Sequence, residues 1–132
     1  DTSGAEAVSL GDYVAIRLDS ARNQGVVGFY YDGTTWHATT TGMLYAGAGW
    51  HHFVYVIDAS NNSQNLYIDG VVMGSTVHTE SLSYSGLGSN TFIGKHGNGI
   101  SNYDFKGLID DVRIYNRALS NQEVQNLYNN SN

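Results

Sequence analysis

Cysteine and proline are absent from this 132-residue chain. Without cysteine there is neither a disulfide framework nor a thiolate metal site. Stability has to come from a buried core, which a single domain of this length can supply. Basic residues are scarce, six Lys and Arg against twelve Asp and Glu, for a net charge of −6. That balance excludes a nucleic-acid surface and attraction to anionic membranes. Neutral hydrogen-bonding ligands and cations fit it better. No apolar run approaches the ~20 residues needed to span a bilayer. The opening Asp1-Thr2-Ser3-Gly4 has no charged and apolar lead, so the sequence reads as a mature product or a segment cut from a longer one.

What is present points to an all-β chain. Sixteen glycines and ten tyrosines suit many turns joining aromatic-rich strands. Richness in Asn, Ser and Thr fits a secreted bacterial module. Tyr13–Asp19 alternates, with Val14, Ile16 and Leu18 on one face and Arg17 and Asp19 on the other. Gly25–Tyr31 follows and ends at Asp32-Gly33, a hairpin turn pair, and Thr34–Thr40 returns from it. Trp50–Asp58 is apolar or aromatic on both faces, which places it inside a sheet with Trp50 and His52 in the core. Asn65–Ile68 and Val71–Met73 flank Asp69-Gly70 as a second hairpin, and Thr91–Gly94 and Phe105–Tyr115 read as closing strands. Ser120-Asn121-Gln122-Glu123 is a capping box, and Val124, Leu127 and Tyr128 then recur at helical spacing. Residues 1–132 are therefore one antiparallel two-sheet sandwich with a short C-terminal helix.

Three stretches occur in an order and spacing that mark a family: Trp50-His51-His52-Phe53-Val54, Leu66-Tyr67-Ile68-Asp69-Gly70, and Gly107 through Ser120 (GLIDDVRIYNRALS). Together they resemble the laminin-G-like jelly rolls of the concanavalin A-like lectin/glucanase superfamily, pentraxin and laminin-G domains among them. The last stretch is similar to that family's closing strand and its entry into a terminal helix. Such domains carry further strands ahead of the region matching Tyr13, whereas a dozen residues precede it here. The resemblance thus implies a trimmed or minimal sandwich, or a fragment paired with another chain. Its unfilled edge would invite self-association or a protein partner.

In related jelly-roll enzymes, the aspartate matching Asp110 helps hold a structural calcium with backbone carbonyls, so the resemblance nominates Asp110 as a Ca2+ ligand. Strand parity agrees, since Asp110 shares a face with Leu108, Val112 and Ile114 and would point coreward. A coreward carboxylate needs a hydrogen-bonding, ionic or metal partner. Asp111 and Arg113 fall on the other face, where an ion pair is expected.

Two polar-aromatic clusters stand out as binding candidates. Tyr31, Asp32, Trp36 and His37 flank a hairpin tip, and His96, Asn98, Asn102, Tyr103 and Asp104 sit in a Gly-rich loop. Flat rings that stack on sugar C–H groups, beside polar groups that take hydroxyls, are how sugar surfaces work. Rings that merely pack on the sheet would leave the same pattern in the hairpin. Catalytic constellations are lacking. Glu6, Glu80 and Glu123 are isolated, Asp110 and Asp111 point apart, and no Gly-x-Ser-x-Gly, His-Glu-x-x-His or P-loop run occurs. The expectation is a non-catalytic, carbohydrate-binding module that acts outside the cell, secreted or at its surface. A protein-interaction or adhesion module is the alternative, and a residual glycoside hydrolase a weaker one.

Overall fold

The computed structural model describes residues 4–11, 13–19, 25–45, 47–82, 90–97, 99 and 103–130. Eight strands and one helix follow in chain order. They are β1 (Ala5–Leu10), β2 (Val14–Asp19), β3 (Gly25–Tyr31), β4 (Trp36–Thr40), β5 (Phe53–Asp58), β6 (Ser63–Ile68), β7 (Val71–Val77), β8 (Thr91–Ile93) and α1 (Asn121–Asn129). All ladders are antiparallel and form two sheets, β4-β3-β2-β1-β8 and β5-β6-β7. The two sheets face each other as a sandwich, as the composition predicts.

Strand alternation sets the core. Val26 on β3, with Ile16 and Leu18 on β2, meets Leu66 and Ile68 on β6, and Phe53, Tyr55, Tyr45 and Met73 fill in around them. Each fully buried aliphatic side chain here contributes roughly 1.5–3 kcal/mol. Two glycines let the sheets come together. A Cβ on Gly28 would lie 2.3 Å from the Tyr55 ring, and one on Gly74 would lie 2.5 Å from the Thr40 carbonyl oxygen.

The other face of the three-stranded sheet takes α1. Val124 and Leu119 pack on Val56 and Tyr67, and the Tyr67 hydroxyl donates to Asn121 Oδ1 at 2.5 Å. The expected capping box is present, with Ser120 and Glu123 bonding reciprocally. The Arg117 guanidinium and then the Ser120 hydrogen bonds pull the Glu123 carboxyl down to about 2. Asp69-Gly70 turns β6 into β7 with both φ angles positive, 51° and 78°, as a two-residue primed hairpin requires.

Three elements depart from the sequence reading. β1 carries no clear apolar alternation in Ala-Glu-Ala-Val-Ser-Leu, yet it sits between β2 and β8. The regular part of Trp50–Asp58 starts at Phe53 and forms an edge strand, leaving Trp50 66% exposed rather than in the core and His52 half-buried. Phe105–Tyr115 joins no ladder. Phe105 is tied to Gly94 by one backbone hydrogen bond, Leu119 docks with α1, and Leu108 (77% exposed), Val112 and Ile114 between them are exposed.

Substituting Gly74→Ala should cost about 1–3 kcal/mol, because β7 cannot relax away from a backbone carbonyl without opening the sheet contact. Urea unfolding will show it as a lower midpoint with an unchanged slope.

Candidate functional site

The outer face of the five-stranded sheet gathers aromatic and polar side chains from both clusters. Pairing of Tyr31 with Trp36, Ala15 with Phe29 and Glu6 with Arg17 puts Trp36, Tyr31, Phe29, Arg17 and Glu6 on one side of the sheet. Tyr13 stacks on Tyr31 at 5.6 Å, Tyr31 lies 4.9 Å from Trp36, and Phe29 meets Trp36 edge-on at 5.4 Å. The Arg17 guanidinium then covers Phe29 at 4.6 Å and Tyr103 at 4.8 Å, and Tyr103 lies 4.9 Å from His96. Such cation–π contacts make Arg17 the bridge between the hairpin and the loop. Trp36 stays 54% exposed at one end of the row.

Glu6 anchors the bridge. Its side chain is 1% exposed, and Arg17 Nη2 donates to its Oε1 at 2.7 Å, with His96 Nε2 at 3.6 Å from the same oxygen. Asp104 lies beside it through a bridge between residues 6 and 104. Glu6 Oε2, Arg17 Nε, Ser9 Oγ and Asp104 Oδ1 are buried without a hydrogen-bond partner among the described residues. Buried polar atoms of that kind are costly unless something bonds to them.

Tyr31, Trp36, His96, Tyr103 and Asp104 thus lie along one surface, whereas Asn98 and Asn102 fall outside the described residues. Asp32 and His37 do not join the row. Asp32 Oδ1 accepts from the backbone N–H groups of Thr34 and Thr35 and from the Thr34 hydroxyl, closing a four-residue turn in place of a two-residue one. The hydrogen bond from His37, then those from Thr35 and Thr34, hold the Asp32 carboxyl well below the usual carboxylate range. His37 is buried on the inner face, stacked at 4.8 Å on Tyr30. Burial above all, with the Asp32 and Glu80 charges, raises the Tyr30 phenol to about 12.

Asp110 differs from its expected coreward setting. Its segment is exposed, and its Oδ1 accepts the Asp111 backbone N–H at 2.8 Å. Asp111 pairs with Arg113 at 2.7 Å within the same segment rather than across a ladder. The row residues missing from the sequence clusters are Tyr13, Phe29, Arg17 and Glu6. Parity alone could have placed Arg17 with Phe29, once the β2–β3 register was known.

Fold and face together define a two-sheet jelly-roll-type sandwich that presents an aromatic, hydrogen-bonding surface. The family model for the laminin-G-like group of the concanavalin A-like lectin/glucanase superfamily matches residues 2–125, and the chain belongs to that family. Among solved structures, it is similar to the S-layer domain-containing protein (residues 221–444) of Clostridium thermocellum ATCC 27405, with 24% identity and a TM-score of 0.50. That likeness covers 94% of this chain and 63% of the other, so this chain spans less than two thirds of its neighbour's length. No curated protein matches the chain.

Arg17→Ala should destabilise the domain by about 3 kcal/mol, since it leaves the Glu6 carboxylate buried with its main partner gone. Thermal unfolding would show it. A loss under ~0.5 kcal/mol would mean that water reaches Glu6 freely.

Proposed function

We propose that this domain is a non-catalytic carbohydrate-binding module, and that it binds sugar on the outer face of its five-stranded sheet. The observation that carries the reading is the continuous row Trp36–Phe29–Arg17–Tyr103–His96, with Tyr31 and Tyr13 beside it. The exposed Trp36 ring offers a flat apolar face to sugar C–H groups, with Tyr31 and Tyr13 half-buried beside it. A net charge of −6 suits a neutral glycan better than an anionic one. Glu6 is spent on Arg17 and does not serve as an acid or nucleophile. Membership of a lectin/glucanase superfamily supports the ligand class and an extracellular site of action, though fold alone does not fix function.

Glycan arrays followed by calorimetry test this reading. Trp36→Ala should weaken the identified glycan about tenfold or more, and barely move Tm because its ring is half in solvent. Absence of binding to any neutral glycan removes the reading.

A second reading, assembly through protein contacts, is favoured by one observation. The free edge of β5 faces the unladdered segment Lys106–Arg117 across a cavity of about 1530 Å³, lined by Phe53, Tyr55, Leu108, Val112 and Ile114 among others. An open strand edge beside exposed apolar side chains invites β-pairing with another chain. Sedimentation at tens of micromolar should then show self-association. A monomer at every concentration counts against this reading and leaves the glycan site untouched.

A further inference from the structure

Where β4 of one sheet meets the end of β7 of the other, two imidazoles and a carboxylate converge away from the aromatic row. His37 lies on β4, His78 directly follows β7, and Glu80 lies two residues on. His37 Nδ1 is 3.3 Å from Glu80 Oε1, and His78 Nδ1 is 3.2 Å from the same oxygen. The donor atoms of all three lie within 4.8 Å of one another, the one such group of three His, Cys, Asp or Glu among the described residues. We infer that His37, His78 and Glu80 form a binding site for a divalent transition-metal ion of the zinc class.

The proton inventory at His37 points the same way. Asp32 Oδ2 lies 2.8 Å from His37 Nε2, and a carboxylate in that position accepts the Nε2–H. In a neutral imidazole this leaves Nδ1 as a bare lone pair, and it is turned on the Glu80 oxygen. At its other nitrogen, His78 meets the side-chain amide of Gln64, which is fully buried on β6. Its Nδ1 also aims at Glu80. The His37 lone pair and the Glu80 carboxylate therefore repel one another unless a cation or a proton stands between them. At His78 the Gln64 N–H donates to Nε2 and leaves the proton of the neutral ring on Nδ1. Ligation there requires the Gln64 amide to turn its oxygen toward an Nε2–H. The Asp32 carboxylate behind His37 is the outer hydrogen bond that fixes a metal-binding histidine in tautomer and direction.

Spacing and donor chemistry select the ion. Ligands about 2.0–2.1 Å from a tetrahedral centre lie about 3.3–3.4 Å apart, against the 3.2 and 3.3 Å found here. Two imidazoles and one carboxylate suit zinc, and also nickel or copper, far better than calcium or magnesium, which want oxygen shells. His37 and His78 are 6% and 10% exposed while Glu80 is 51% exposed. The ion would therefore sit at the sandwich margin with a fourth position open to water. There it would join the two sheets, since its imidazoles come from different ones.

Calorimetry with Zn2+ on the intact domain, paired with Co2+ absorption, tests the site. We expect one ion per chain, tetrahedral Co2+ bands, and Tm raised about 10 °C at zinc about 100-fold above Kd. His78→Ala should abolish the bands. Glu80→Gln, an exposed change that keeps the fold, should weaken zinc about tenfold or more. Asp32→Asn should weaken it about 10–100-fold through orientation alone. His51→Ala, on the distant His51–Asp69 pair, should change nothing. No zinc binding at about 100 µM, or binding that survives both His78→Ala and Glu80→Gln, would overturn the proposal.

Discussion

Everything in this domain depends on how closely the two sheets approach. Tyr55 lies over Gly28, and the Thr40 carbonyl lies against Gly74, at separations that leave no room for a Cβ. Because the sheets close there, the inward side chains of β2, β3 and β6 can pack into one core. The same closure brings His37 on β4 within ring contact of His78 beyond β7. It also leaves the outward side chains of β2, β3 and β4 a firm backing, so Trp36, Tyr31 and Phe29 are held by a sheet, and Arg17 ties the loop residue Tyr103 to them. Glycine here serves close approach, which is a different use from the positive φ of Gly70 in its hairpin.

The outer face rests on one ion pair. Arg17 joins a buried Glu6 to two rings that come from different parts of the chain. Its stem lies beside Gly4, where an added Cβ would come within 3.0 Å of Arg17 Cδ and 3.1 Å of the Tyr103 ring. Stability and the proposed recognition therefore share a residue. A guanidinium suits both roles, since it stacks on aromatic planes while its edge donates to a carboxylate.

Much of the fold was legible because its signals are local. The positive-φ turn at Asp69-Gly70 and the Ser120–Glu123 cap announce themselves in two and four residues. β1 was not legible, because small residues and a buried glutamate give it no alternation. Glu6 is tolerated inside only because Arg17 arrives from β2. The closing segment failed for the opposite reason: its alternation is clear, but a strand exists only with a ladder partner, and the neighbouring edge of β5 does not reach it. Asp110 follows its segment into solvent. The site was half legible. Trp36, Tyr31 and Tyr103 stand out by type, but that the two clusters meet depends on long-range register, and that His37 turns inward depends on β4 parity counted from an unexpectedly long turn.

The placement of the two terminal elements has a mechanical meaning. β1 lies within the five-stranded sheet, and α1 is fastened to the far side of the three-stranded one. Tension applied through β1 and α1 is thus transmitted across the interface between the sheets, whose dispersion contacts are many and individually weak. A load of that kind slides the layers past each other, and the contacts that resist it are Tyr55 on Gly28 and β7 on β4. The domain is laid out as a lap joint.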